Sequence, residues 1–469
     1  MADTKPALNL FEQFGQTEAE ESFDLVAWFK QDLRWRTISL CFFMLVQLGP
    51  FIALVTSGGA DEGSIFRQLG YVALLGWALW AAAPWQNGTR TVMLPVPLIV
   101  ALAWFLLSLT WSAVPGIGLR RLILTVSVVW SAVIIVRNTG YRMTMDNLRL
   151  ALSVGLVLNI ITVFVAPSIG IHSLEADRGW SSDQVIGSWR GIMTDKNLAG
   201  AATAICFLAF FFDAKQIRLP FRLGVLLLSA LFLYKTHSKT SIGLVGVGCV
   251  LGLAYERVSY RLRMYLIPAG LVIASAASMA LRGLKGDTGG EGVSASAFTG
   301  RGSIWQMLFH YAQDHLWTGA GFGSFWNVGD ESPVYKYGQG FSTLVAVGHN
   351  GYLDLLVTVG LPGLMLAVIA VFIWPMMRML TTHSLRPAKG GLICALLVFC
   401  IGHNFTESSL LDRDALTGMV AILVVGFILY ATQGRGSSSR SRKRSRKQSE
   451  AGDELLQTMK TRRRSRNRA

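Results

Sequence analysis

Long apolar stretches recur along the whole chain, and they constrain its fold more than any other feature. A helix needs about 20 apolar residues to cross the hydrocarbon layer of a bilayer. Of the 469 residues 52% are hydrophobic and only 15% are charged, whereas a soluble globular protein carries about 25% charge. We therefore predict an all-α integral membrane protein, because helices satisfy their own backbone hydrogen bonds in lipid.

Apolar stretches of this kind occur twelve times, which predicts about 12 transmembrane helices. The predicted spans are residues 38–56, 69–84, 91–109, 122–136, 148–166, 197–212, 221–234, 240–256, 264–281, 351–377, 390–404 and 414–431. They define a cytoplasmic N-terminal segment at residues 1–36, a polytopic membrane domain at 37–432 and a tail at 433–469.

The positive charge of the chain is concentrated on one predicted side of the membrane. The formal net charge is +15, and the tail at 433–469, rich in Ser, Arg and Lys, contributes +10 of it. The predicted connections on the same side hold thirteen Lys and Arg within 51 residues. Since basic residues concentrate in cytoplasmic loops, both termini are predicted to be cytoplasmic. The tail is expected to be disordered and to lie against anionic lipid, and nucleic-acid binding is not expected.

Two predicted outer loops are long enough to carry function, at residues 167–196 and 282–350. The second has apolar residues at helical spacing from about 301 to 316, which predicts an amphipathic helix on the membrane surface. Its predicted inward-facing residues are Ile304, Trp305, Leu308, Phe309, Ala312 and Leu316. Thr299 or Gly300 is expected near the start of this helix.

Ionisable residues at the outer ends of spans are the candidates for chemistry, because charge near the membrane is costly. The guanidinium group of arginine binds phosphate oxygens in pairs, so outer arginines suit an anionic headgroup. Arg301 would lie in the first helical turn, where free N–H groups also favour an anion. His349 could take a proton from an attacking hydroxyl, and the alternative is a capping or core histidine. The alternative for each arginine is interfacial anchoring or an ion pair, and His403, near Glu407, is interpreted as a hydrogen-bonded residue at a helix end.

Other kinds of chemistry have little support in the sequence. It contains no P-loop and no HExxH motif. The five cysteines all fall within predicted spans, so neither disulfides nor a cysteine metal site is expected. Asp412 and Asp414 have the spacing of a metal-diphosphate motif, but they are predicted to face outward, where nucleotide sugars are not available.

Several motifs, taken in order, resemble those of the bacterial O-antigen ligase and polysaccharide polymerase superfamily, and are closest to its exopolysaccharide polymerases. They are WRGIMTDKNLAG at 189–200, FTGRGSIW at 298–305, and His349-Asn350 followed by Gly360-Leu361-Pro362-Gly363. Asp195 stands where the family more often has histidine. The twelve spans and the long loop before the tenth also match, so the resemblance covers roughly residues 30–430.

The resemblance implies a glycosyltransferase of the bacterial inner membrane that uses no metal and no other cofactor. It would move a glycan from undecaprenyl diphosphate to an acceptor hydroxyl on the periplasmic side. The implied diphosphate-binding residues are Arg190 and Arg301, with Lys196 and Arg120 or Arg121 as further candidates. His349 would be the general base on the acceptor hydroxyl.

Several functions remain open at this point. The TDKN motif favours a polymerase of exopolysaccharide or O-antigen repeat units, and a ligase that transfers to lipid A–core is the alternative within the superfamily. A transporter or lipid-glycan flippase would instead place charged sites at the midplane of two corresponding halves. A structural assembly protein would use the basic tail to bind a partner. The expected partners are the lipid-linked donor, a glycan or lipid acceptor, membrane lipids and other polysaccharide assembly proteins.

Overall fold

The computed structural model describes residues 33–57, 64–173, 185–283, 301–383 and 385–431. Within these ranges the regular structure is helical, apart from an isolated antiparallel bridge between Ile171 and Trp189. The predicted tail, most of the N-terminal segment and the cap positions Thr299 and Gly300 lie outside the described residues.

The helices longer than ten residues in the described ranges follow the apolar stretches of the sequence. They are α1 (Leu33–Ser57), α2 (Ile65–Ala82), α3 (Val96–Ser108), α4 (Pro115–Val165), α5 (Lys196–Phe211), α6 (Leu219–Lys235), α7 (Lys239–Arg257), α8 (Tyr260–Gly283), α9 (Arg301–Asp314), α10 (Gly351–Thr381), α11 (Pro387–His403) and α12 (Leu416–Ala431). Among the described residues, three helical stretches are long and apolar enough to cross a membrane: Ile65–Asn87, Pro115–Val165 and Gly351–Thr381. The all-α membrane class is therefore confirmed, while the count of about twelve spans stays a prediction.

The predicted connection at residues 137–149 is helical, which differs from the sequence prediction. Helix α4 runs through it and is interrupted only at Gly140, where φ is 69° and ψ is −179°. Glycine adopts this backbone at little cost because it has no Cβ atom. The two predicted spans at 122–136 and 148–166 therefore lie on the two halves of one kinked helix.

Helix α10 has a similar break at Gly360, where φ is 69° and ψ is 178°. Neighbouring segments satisfy the peptide groups around the break. The N–H of Leu361 donates to the carbonyl of Leu316 at 2.7 Å, and the indole of Trp104 donates to the carbonyl of Val359 at 2.9 Å. An interrupted helix is tolerated at membrane depth only where such partners exist. The break ties α10 to the predicted outer loop at residues 282–350, called the large outer loop below.

Small residues hold α7 and α11 close together. A Cβ atom added at Gly252 would lie 2.9 Å from the carbonyl oxygen of Gly391, and one at Gly248 would lie 3.3 Å from that of Ala395. Close backbone approach through small residues is a common mode of helix association in membranes. The order of these contacts makes the helices antiparallel, so the start of α7 lies beside the end of α11.

Helix α9 confirms the predicted amphipathic helix in its position and in most of its buried face. Four of the predicted inward-facing residues are buried, namely Ile304, Trp305, Leu308 and Ala312. Phe309 and Leu316 are 45% and 38% exposed, contrary to the prediction. Tyr311 is buried instead, because its ring packs 4.9 Å from that of Phe325. The buried face is thus turned toward the segment that follows α9, the aromatic loop at residues 321–327.

Candidate active site

His349 lies on a fixed turn between the large outer loop and α10. Its φ of 48° is in the left-handed region, which is uncommon for a residue other than glycine. On one side, the carbonyl of Gly348 accepts a hydrogen bond from the indole of Trp305 at 2.9 Å. On the other side, Asn350 caps α10 by accepting two N–H groups of its first turn. The turn holds the imidazole in place and leaves 33% of the side chain exposed.

Glu407 connects His349 with Arg301. Its Oε2 atom lies 3.0 Å from Nδ1 of His349, and its Oε1 atom lies 2.6 Å from Nη2 of Arg301. Arg301 also donates to the carbonyl of Thr406. Burial alone would raise the pKa of Glu407, but the hydrogen bond from His349 and the positive charge of Arg301 lower it to about 2. Glu407 is therefore ionised at neutral pH and bridges the two residues.

This arrangement suits His349 to accept a proton. A carboxylate beside Nδ1 keeps a proton on that nitrogen, so Nε2 carries the free lone pair. Nε2 makes no hydrogen bond within the described part of the chain. A hydroxyl group placed beside Nε2 would therefore find a general base.

Two more cations lie near Arg301. Lys196 and Lys239 are the first residues of α5 and α7, and Arg301 is the first described residue of α9. The pKa of Lys196 is lowered, first by partial burial and then by the charges of Lys239 and Arg301, while Asp195 opposes the shift. The charges of Lys239 and Arg301 thus both act on Lys196. The N-termini of α5 and α7 add unpaired N–H groups and a positive dipole end, so the cluster of Lys196, Lys239 and Arg301 suits a polyanion.

The starts of α5 and α7 are joined by one hydrogen bond, and a second lies within the start of α7. The hydroxyl of Ser238 approaches Oδ1 of Asn197 at 3.3 Å and Oγ of Ser241 at 3.0 Å. A Cβ atom at Gly200 would lie 2.7 Å from that of Ser238. Asp195 caps α5 by accepting the N–H of Asn197 at 2.6 Å. Asp195 thus serves as a helix cap.

Arg190 is anchored at the end of α4. Its Nε atom donates to the carbonyl of Ile169 at 2.7 Å, and its backbone N–H donates to that of Gly170 at 2.8 Å. The neighbouring N–H of Trp189 donates to the carbonyl of Lys235 at 3.0 Å, just before α7. The Arg190 segment therefore borders the loop that leads to Lys239.

Arg120 and Arg121 lie near the start of α4, just before the predicted span at 122–136. The two side chains differ in their surroundings. Arg120 is exposed. Arg121 donates from Nη1 to the carbonyls of Gly323 and Trp326, at 2.5 and 2.7 Å, and from Nη2 to that of Asn327 at 2.9 Å. Arg121 therefore holds the aromatic loop. Of the predicted site residues, His349 and Arg301 are joined through Glu407, and Lys196 is within electrostatic reach of Arg301. Arg190 is hydrogen-bonded just after the end of α4, and Arg120 is exposed on the helix surface.

The sequence prediction omits two residues of this site, Glu407 and Lys239. Both are ionisable residues at the outer ends of predicted spans, and this signal points to them. The interpretation of His403 as a hydrogen-bonded residue at a helix end is wrong. Among the described residues neither ring nitrogen of His403 has a hydrogen-bond partner. The buried ring instead stacks on that of Phe399, with the ring centroids 5.5 Å apart.

Asp414 of the Asp412–Asp414 motif is engaged with side chains of the protein. It lies 3.4 Å from Nη2 of Arg67 and accepts a hydrogen bond from the hydroxyl of Tyr71 at 3.3 Å. This carboxylate therefore ties the start of α12 to α2.

Residues 224–368 match a family model described as O-antigen ligase. The chain is similar to the O-antigen ligase family. The resemblance predicted from the motifs is thereby confirmed, and it supports a membrane glycosyltransferase of the ligase or polymerase type. The segment similar to O-antigen ligase contains Lys239, Arg301 and His349, whereas Lys196 and Glu407 lie outside it. No curated protein matches the chain.

Proposed function

We propose that this protein moves a glycan from undecaprenyl diphosphate to an acceptor hydroxyl on the periplasmic side of the bacterial inner membrane. The 3.0 Å contact between Nδ1 of His349 and Oε2 of Glu407 carries the proposal, because it orients a histidine for proton abstraction. The similarity to O-antigen ligase supports the class of reaction. In this proposal the protein is multi-pass with both termini in the cytoplasm, as the basic inner connections favour.

In the proposed reaction, the acceptor hydroxyl oxygen attacks the anomeric carbon of the donor glycan. Nε2 of His349 takes the hydroxyl proton as the new carbon–oxygen bond forms. The bond between the anomeric carbon and the diphosphate oxygen breaks, and undecaprenyl diphosphate leaves with its electron pair. Attack from the face opposite the leaving group inverts the anomeric centre.

The cation cluster of Lys196, Lys239 and Arg301 is proposed to hold the leaving diphosphate. Fixed positive groups aimed at an oxygen where negative charge develops stabilise the transition state. Arg301 can serve both Glu407 and a phosphate, since a guanidinium group has five N–H donors. Diphosphate binding by Arg190 and Arg120 stays a prediction.

Replacing Lys239 with alanine tests the cation cluster. We expect the KM for the lipid-linked donor to rise about tenfold, because a hydrogen bond to a charged group is worth about 1.5–3 kcal/mol. The measurement is the initial transfer rate of purified protein against donor concentration. Lys336→Ala is the matched control, since Lys336 is an exposed lysine in another loop, at residues 282–350. An equal donor KM in both variants would remove Lys239 from the donor site.

A polymerase of exopolysaccharide or O-antigen repeat units is favoured within this class by the TDKN motif, and a ligase that uses lipid A–core is the alternative. Purified protein is given a lipid-linked repeat unit, either alone or together with a core-lipid acceptor. A polymerase is expected to build longer lipid-linked chains in the first mixture. A ligase would place glycan on the core lipid in the second mixture. Absence of transfer in both mixtures would contradict the proposed function.

A further inference from the structure

A buried carboxylate, that of Asp354, lies directly behind the turn that carries His349. Asp354 belongs to the first turn of α10. Its Oδ1 and Oδ2 atoms lie 3.1 and 3.2 Å from the backbone nitrogen of Gly348. A Cβ atom on Gly348 would clash with Oδ1, so only glycine fits at this close approach. Asp354 thus fixes the residue that precedes His349.

The same carboxylate holds the residue that follows His349, through Ser408. The side chain of Ser408 neighbours Asp354, and its Oγ atom accepts the backbone N–H of Asn350 at 3.1 Å. The Ser408 hydroxyl is the group that can donate to the carboxylate, which has no proton to give. Both neighbours of His349 are therefore held by one group, at a residue whose left-handed backbone needs support from its surroundings.

Asp354 also connects this turn with the aromatic loop at residues 321–327. The indole N–H of Trp326 donates to Oδ1 of Asp354 at 2.9 Å. The main chain of Trp326 is held in turn by Arg121, at 2.7 Å. A displacement of the aromatic loop would therefore reach the turn of His349 through a single side chain.

We infer that Asp354 is a positioning residue for His349 and couples the aromatic loop to it. The inference rests on the proposed function of His349 as the base. Glu407 orients the imidazole ring through Nδ1, whereas Asp354 fixes the backbone from which the ring extends. Asp354 itself contacts no reacting atom. Its loss would slow the reaction by displacing the base, His349.

Asp354→Asn and Asp354→Leu are a pair of similar shape that separates this role from simple packing. In Asp354→Asn the amide oxygen can still accept from Gly348 and Trp326, and the amide nitrogen can donate to the hydroxyl oxygen of Ser408. In Asp354→Leu all of these bonds are lost. Since misplacement of a catalytic group by about 1 Å can cost about 10²-fold in rate, we expect a loss of that size in kcat for Asp354→Leu and a loss of at most about threefold for Asp354→Asn. The donor KM should stay unchanged in both, because the cation cluster is intact.

A second measurement reports on the conformation of the His349 turn without relying on activity. Diethyl pyrocarbonate modifies unprotonated histidine rings, and peptide mass spectrometry follows the modification rate of each residue. We expect the rate at His349 to change at least about threefold in Asp354→Leu relative to wild type and Asp354→Asn, because the turn loses its fixed position. His310, exposed on α9, is the internal control and should react equally in all three proteins.

The outcomes separate the two hypotheses. If wild-type protein transfers no glycan but the reactivity of His349 responds to Asp354→Leu, the proposed function fails and the positioning role stands. Equal kcat and equal His349 reactivity in Asp354→Asn and Asp354→Leu would overturn the positioning role. If the Asp354→Leu variant does not insert into the membrane, Trp326→Phe tests the inference in its place, since it removes only the indole hydrogen bond to Asp354. Wild-type kcat and wild-type His349 reactivity in Trp326→Phe would then overturn the coupling, and a decrease in kcat with altered reactivity would support it.

Discussion

Replacing His349 with alanine is expected to slow glycan transfer by about 10²- to 10⁴-fold, the usual contribution of a general base. The variant removes the proton acceptor for the attacking hydroxyl but leaves Lys196, Lys239 and Arg301 in place. The donor KM should therefore stay near its wild-type value while kcat falls. The measurement is the transfer rate of purified protein at saturating donor.

His310→Ala is the matched control for this experiment. His310 belongs to the same outer loop, on the exposed side of α9, so its loss removes an imidazole without touching the turn at His349. We expect wild-type kcat and KM from this variant. Transfer by His349→Ala at the rate of His310→Ala would exclude the general-base role.

The second large effect is expected at Glu407. Glutamine at this position has nearly the same shape but no charge, so it leaves Arg301 without its anionic partner and no longer fixes the proton of His349 on Nδ1. We expect kcat to fall on the order of 10²-fold. Loss of the charged hydrogen bonds should also lower the free energy of unfolding by about 1–3 kcal/mol. Thermal unfolding of the detergent-purified protein measures the second effect.

The pH dependence of that stability difference gives a further check on Glu407. Its pKa is about 2 in the folded protein and 4.5 is its ordinary value. A carboxylate with a depressed pKa contributes its full stability above the ordinary value and loses it as the pH falls toward the folded value. The difference between wild type and Glu407→Gln should therefore be constant from about pH 7 to 5 and shrink between about pH 4.5 and 2. Glu331→Gln, at an exposed position of the outer loop, should show no such difference.

Helix positions could be predicted from the sequence because a bilayer imposes one requirement on every span. An apolar stretch must be helical wherever lipid surrounds it, and each predicted span overlaps a helix of the described ranges. The interruptions were harder to foresee. Gly140 and Gly360 break their helices with the same positive φ of 69°, yet one lies in a predicted connection and the other within a predicted span. The groups that hydrogen-bond to the backbone beside Gly360, such as the indole of Trp104, come from distant parts of the chain. The local sequence therefore does not indicate them.

The candidate site could be predicted only in part, for a related reason. His349 and Arg301 stand in recognisable motifs, so the sequence indicates them directly. Glu407 lies 58 residues from His349 along the chain, and its role depends on the packing of α10 beside the end of α11. Lys239 belongs to no motif and is only a basic residue at a span end. Its role becomes apparent from its electrostatic effect on Lys196, which Arg301 shares. Asp354 sits within an apolar stretch, where its hydrogen bonds to Gly348 and Trp326 have no local sequence signal.

The segment that matches O-antigen ligase ends at residue 368, although the carboxylate beside His349 lies on the loop after α11. A hybrid protein built by exchanging only residues 224–368 with a related enzyme would pair the histidine of one parent with the carboxylate loop of the other. The backbone of Gly351 donates to the carbonyls of Asn404 and Glu407, at 2.9 and 3.2 Å, so the two segments are also matched in shape. The smallest unit of this site that can be transplanted therefore extends past α11. A hybrid cut at residue 368 would combine a His349 turn and a Glu407 loop from different parents, whose contacts are not complementary.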